Sequence, residues 1–140
     1  EAQISNLPAG GSTTAYITRT LRFNGQLSAG SAYRTDALPY GATLDKVKLA
    51  LFGSLPTGDD VEVQVTKNGT GTINSVFVSD SPAAILTTQT AETNGIYVTD
   101  GTLDSGMTTC LENDYFVVTL TQVGSTFAGS DLDITLSFEV

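Results

Sequence analysis

Thr57-Gly58-Asp59-Asp60-Val61-Glu62-Val63-Gln64-Val65 is echoed, about seventy residues further on, by Ala128-Gly129-Ser130-Asp131-Leu132-Asp133-Ile134-Thr135-Leu136. Each stretch is a glycine turn, then an aspartate, then a strict alternation of apolar and polar residues. A side-chain period of two puts Val61, Val63 and Val65 on one face of a strand, and Leu132, Ile134 and Leu136 on one face of another. A chain that builds the same turn-into-strand unit twice, with similar strands between, predicts sheets whose apolar faces cover each other.

The flanking sequence follows the same pattern. Residues 13–23 alternate Ala15, Ile17, Arg19, Leu21 and Phe23 against Tyr16, Thr18, Thr20 and Arg22, which suits a half-buried strand, and Asn24-Gly25 predicts the turn that closes it. Residues 26–43, with Gly30, Pro39 and Gly41, predict a connection with room for a short strand between Ser31 and Leu38. Val47, Leu49 and Leu51 alternate with Lys46 and Lys48, and Leu55-Pro56-Thr57-Gly58 is the next turn. The first repeat strand, Asp60 to Lys67, meets Asn68-Gly69, which predicts a hairpin returning through Ile73, Val76 and Val78. Short strands are expected at Ile96-Tyr97-Val98 and near Ile85-Leu86, in a stretch whose threonines argue against a long helix. Glu112-Asn113-Asp114 launches Tyr115 to Val123, and the last strand carries Leu132, Ile134, Leu136, Phe138 and Val140 inward. Pro8, Pro39, Pro56 and Pro82 all fall in connections or at segment edges, as strands that need their ladder donors require. The expectation is an all-β antiparallel sandwich or barrel over residues 15–140, preceded by an extended, aperiodic N-terminal arm over residues 1–14.

At 140 residues the chain is long enough to bury one core without a disulfide or metal staple. Six Lys and Arg face fifteen Asp and Glu, and the resulting charge of −9 repels phosphate backbones and anionic headgroups, so neither nucleic acid nor a membrane surface is an expected partner. Apolar runs are a few residues long, far short of the roughly 20 that cross a bilayer, and no secretory leader opens the sequence, so a soluble protein is expected. The first residue is Glu1 and not Met, so residues upstream are expected to have been trimmed or to lie outside this sequence.

The sequence is poor in chemistry. Cys110 is the single cysteine and reads as a small buried hydrophobe, because a thiolate nucleophile needs a base or a positive neighbour and the chain has no His. Asp59 and Asp60 in one loop, and Asp100 and Asp104 in another, would supply oxygen ligands to calcium, yet no Asp-x-Asp-x-Asp-Gly loop is present and Asp beside Gly is ordinary turn chemistry. Acidic residues fall in turns or at outward strand positions, unlike a glycosidase pair with one buried carboxyl. The expectation is a protein that is not an enzyme and holds no metal or cofactor. A glycan platform would have to come from Tyr33, Tyr40 and Tyr97, since Trp is missing.

Leu55-Pro56-Thr57-Gly58-Asp59-Asp60-Val61-Glu62-Val63, Lys67-Asn68-Gly69-Thr70, Asn113-Asp114-Tyr115-Phe116-Val117-Val118, Gln122-Val123-Gly124-Ser125-Thr126 and Gly129-Ser130-Asp131-Leu132 carry a further signal. From about Leu44 to Val140 the sequence resembles a jelly-roll β-sandwich domain of tailed-phage virion proteins, a group that includes capsid decoration proteins and head or tail fibre modules. The resemblance implies a jelly-roll-like sandwich of about eight strands. It also implies a structural virion protein, a capsid decoration (cement) protein that binds the major capsid protein on the outer surface of a phage head as a homotrimer. The alternative it implies is a receptor- or glycan-binding module of a phage fibre. Partner contacts are expected from the arm and the residues after it, namely Ile4, Leu7, Tyr16, Arg19, Arg22, Tyr33, Arg34 and Tyr40. An extended segment has no core of its own to bury, and the three arginines contrast with an acidic C-terminal half.

Overall fold

The computed structural model describes residues 14–69 and 74–140. Its strands, in chain order, are β1 (Tyr16–Gln26), β2 (Ala32–Arg34), β3 (Ala42–Leu51), β4 (Val61–Lys67), β5 (Ala83–Ile85), β6 (Tyr97–Asp100), β7 (Thr109–Cys110), β8 (Phe116–Gln122) and β9 (Ser130–Glu139). They form two antiparallel sheets, one in the order β1-β9-β3-β6 with β7 also on β3, the other in the order β2-β8-β4-β5. Leaving out the two-residue β7, the pairs β1 with β9, β2 with β8, β3 with β6 and β4 with β5 nest inside one another. A single long hairpin wrapped around a core has this topology, and it is that of a jelly roll. Nine strands replace the expected eight because Thr109 and Cys110 pair with Thr43 and Ala42.

The two echoed stretches take equivalent places. β4 and β9 are each an inner strand of their own sheet, and Val61, Val63, Val65, Leu132, Ile134, Leu136 and Phe138 are all fully buried in one shared cluster. Phe116 of one sheet meets Phe138 of the other with ring centroids 5.3 Å apart. The glycine turns that lead into the two strands lie in the left-handed region, with φ of 89° at Gly58 and 99° at Gly129. The turn regions are also joined. Thr57 N donates to Phe127 O at 2.9 Å, and Thr126 N donates to Thr57 O at 3.0 Å.

Two turn signals are used differently from the sequence expectation. Asn24-Gly25 does not end β1. The register slips between Phe23 and Gln26, leaving Asn24 and Gly25 as a bulge opposite Asp131, whose Oδ1 accepts from Gly25 N at 2.7 Å. At Asn68 (φ 63°) the side chain locks β4 to the start of β8: Nδ2 donates to Asp114 Oδ1 at 2.9 Å, and Oδ1 accepts from Tyr115 N at 3.1 Å. Among the described residues the expected return strand is represented by one antiparallel bridge, Thr66 to Ser75, while β5 occupies that edge of β4 at Val61–Val63 and Phe77 crosses to pair with Leu103. Ile73 lies outside the described residues. Val140 has the inward parity of β9 but follows its last residue, Glu139, and is exposed. Between residues 79 and 107, helical backbone is confined to the short 3-10 turn Ser105–Met107, while Ser79 and Asp80 turn the chain with φ of 54° and 56°.

Gly124 sits where the two repeats meet. A Cβ there would stand 2.8 Å from Thr57 N and O, and closer still to Phe127 O. Gly124→Ala is expected to destabilise the protein by roughly 2 kcal/mol or more, read as a lower urea midpoint. An unchanged midpoint would show that the repeats are not joined at this turn.

Candidate functional site

The chemistry available to a partner lies on the edge and ends of the sandwich. β1 is a strand of eleven residues that, among the described residues, pairs with β9 alone and so forms an edge of its sheet. Tyr16, Thr18, Thr20 and Arg22 lie on its exposed face, while Ile17, Arg19, Leu21 and Phe23 lie toward the core. Arg19 is thus an inward-directed cation on an edge strand. Its Nη1 donates to Thr18 O at 3.3 Å, while its buried Nε has no partner among the described residues. An inward charge of this kind blunts an edge against indiscriminate strand pairing.

β2 closes the same side from the opposite sheet. Tyr33 lies opposite Val118, on the inward face, and its ring meets Phe23 of β1 at 4.9 Å between centroids. Arg34, on the outward face, has its guanidinium carbon 5.6 Å from the centre of the Tyr115 ring. The pairing of β2 with β8 continues beyond the strand through Thr35, whose N–H donates to Phe116 O at 2.8 Å and whose Oγ1 accepts from Phe116 N at 3.0 Å.

The candidate residues therefore fall into separate groups. Arg19, Tyr33 and Arg34 lie along the β1/β2 side. Tyr16 and Tyr40 belong to the end where β1 begins and β9 finishes, with Tyr16 in register with Glu139 and Val140 N donating to Ala15 O at 2.9 Å. Arg22 is near the other end of β1, where Nε donates to Asp133 Oδ1 at 2.9 Å and Nη2 to Oδ2 at 3.3 Å. Ile4 and Leu7 lie outside the described residues. The three arginines form no common basic patch, since each is engaged in a different place.

Two exposed apolar residues at the end shared by Tyr16 and Tyr40 were not among the sequence candidates. Leu111, 66% exposed, follows β7, which pairs with Ala42 beside Tyr40, and Val140 adjoins Ala15. Leu111 had a legible signal, a lone leucine at the head of the polar turn Glu112-Asn113-Asp114. Tyr33, Tyr40 and Tyr97 form no joint platform. Tyr33 packs on Phe23, Tyr40 precedes β3, and Tyr97 is half-buried against the core on β6, three strands from β1.

The acidic loops are used internally. Asp60 Oδ1 accepts from Thr87 N at 2.8 Å and Asp104 Oδ1 from Gly106 N at 2.9 Å. Among the described residues no three His, Cys, Asp or Glu are grouped to hold a metal ion. Burial pushes the Cys110 thiol up from its ordinary value against the opposing pull of Lys67, which favours the neutral thiol. No helix in the described residues is long and apolar enough to cross a membrane.

No protein family and no curated protein matches the chain. Its fold, however, is shared with chains of two phage capsids. One belongs to the acid-stable capsid structure of Helicobacter pylori bacteriophage KHP30, at 15% identity and a TM-score of 0.54, covering 91% of this chain and 94% of that one. The other belongs to the capsid asymmetric unit of cyanophage Pam1, at 17% identity and a TM-score of 0.52, covering 96% of this chain and 91% of that one. At such identities the likeness is one of fold. It runs the length of both partners, so those chains are of about this chain's own size.

Two outcomes are expected. Phe23→Ala should cost about 3 kcal/mol or more, Tyr33→Ala about 1 kcal/mol and Arg22→Ala, whose own side chain is largely exposed although that of Asp133 is not, about 1 kcal/mol or less; unfolding curves check the order. Cys110 should resist alkylation in the folded protein. Because its value is raised on folding, its contribution to stability is complete below about pH 8.5 and is lost as pH rises through the raised value. A Cys110→Ala variant should lack that alkaline component of the pH profile.

Proposed function

We propose that the protein is a structural component of a phage virion, a decoration protein on the outer surface of the head that bridges neighbouring major capsid subunits as a homotrimer. The observation that carries this reading is the reciprocal, near full-length sharing of fold with chains of two phage capsids. It agrees with the sequence resemblance between Leu44 and Val140, which rests on turn and strand residues read independently.

The end bearing Tyr16, Tyr40 and Leu111 supports a docking role, because these aromatic and aliphatic side chains are exposed among the described residues. The chain also enters the sandwich at that end, through Thr14 and Ala15, and Ile4 and Leu7 precede that point in the sequence. In this reading the work is done by contact area. An interface of order 1,600 Å², repeated over a shell by an oligomer, gains avidity from multiple engagement without any bond being made or broken.

Deletion of residues 1–14 should abolish or sharply weaken co-sedimentation with heads that lack the protein, while the circular dichroism of the sandwich is retained. Leu111→Asp combined with Tyr40→Asp should do the same. Unchanged attachment in both variants would count against the docking end. Quantitative mass analysis of virions should find copies in simple proportion to the major capsid protein, whereas a few copies per particle would indicate a fibre.

A further inference from the structure

At the opposite end of the β1-β9-β3 surface, Arg22, Asn24, Phe52, Asp131 and Asp133 line an open hollow of about 260 Å³. It is built on two rungs of the sheet. Arg22 lies opposite Asp133, which lies opposite Ala50; two rungs further, past Phe23, Leu132 and Leu51, the Asn24-Gly25 bulge faces Asp131, and Phe52 N donates to Asp131 O at 2.8 Å. The bulge and the left-handed backbone of Asp131 (φ 59°) shape this corner, with Asp131 Oδ1 held by Gly25 N. Phe52, one residue beyond the end of β3, is 54% exposed.

The side-chain inventory is selective. Arg22 is fixed by its two bonds to Asp133, which leaves Nη1 as a donor without a partner among the described residues. Asp131 Oδ2 is an acceptor in the same state, and the Asn24 amide supplies both kinds of group. An anionic ligand would meet two carboxylates, and a cationic side chain would meet the Arg22 guanidinium. A neutral polyol meets neither obstacle. Each of its hydroxyls both donates and accepts, and the apolar C–H face of a pyranose lies flat on an aromatic ring. The small volume suits one sugar ring better than a drug-sized molecule, whose pockets start at roughly 300 Å³.

We propose that this hollow is a saccharide site that takes a single neutral pyranose unit, stacked on Phe52 and hydrogen-bonded by Arg22, Asn24 and Asp131. The site lies away from Tyr33, Tyr40 and Tyr97, and it does not depend on the virion reading, since it concerns the isolated chain.

The test is an amide-shift titration of isotope-labelled protein with the methyl glycosides of glucose, galactose and mannose and with N-acetylglucosamine, beside glucuronate and arginine methyl ester, followed by a neutral glycan array. Saturable shifts at Asn24, Gly25, Phe52 and Asp131 with at least one neutral sugar are expected. Phe52→Ala and Asp131→Asn should each weaken binding at least tenfold. Both are expected to fold, because the Phe52 ring is exposed and Asn tolerates the left-handed backbone of residue 131. The proposal is overturned if no neutral sugar or glycan binds, if the shifts fall elsewhere, if only glucuronate or arginine methyl ester occupies the hollow, or if Phe52→Ala binds as well as the parent.

Discussion

The burial of two apolar strand faces, those of β4 and β9, is the constraint on which the rest of the molecule depends. Each strand has its inward residues fully covered and both edges occupied, β4 by β8 and β5, β9 by β1 and β3. With these two in opposite sheets, the remaining strands pair around them in nested order. The cost is long range: β1 finds β9 only when Tyr16 meets Glu139, so the first strand cannot complete its sheet until the last one exists.

A core of this kind leaves little room for reactive chemistry inside. Its polar members, Thr35, Thr66 and Ser75, are spent on hydrogen bonds within the fold, and Cys110 is held as a neutral thiol. What the molecule offers to others is therefore at its margins, where strands run out. One margin combines the chain entry with Tyr16, Tyr40 and Leu111, an apolar surface suited to protein contact. The other is shaped by the Gly25 bulge and gathers Phe52 with charged groups of both signs, a surface suited to a polar, uncharged ligand.

Much of the sandwich was legible because strand parity is local. Val47, Leu49 and Leu51, Val61 to Val65, and Leu132 to Phe138 all take the faces that their alternation assigns. Turn signals were less transferable. Asn24-Gly25 and Asn68-Gly69 both contain a residue of positive φ, as their composition suggests, yet one makes a bulge and the other a lock between β4 and β8. A left-handed residue satisfies the backbone in several motifs, and the partner strand selects among them. The candidate surface was legible only as residue types. Tyr16 and Arg22 lie on one face of β1 but near its opposite ends, and Arg19 between them lies on the other face.

The amino-acid sequence by itself determined the all-β class, which residues lie inward, and the acidic surface, because these follow from a period of two and from counted charges. Only the tertiary structure decided which strand pairs with which, that Phe52 shares a hollow with Arg22 and Asp131, and that Leu111 and Tyr40 share an end. Those proximities arise from hydrogen-bonded ladders between segments far apart in the chain, and no local pattern encodes the identity of a distant partner.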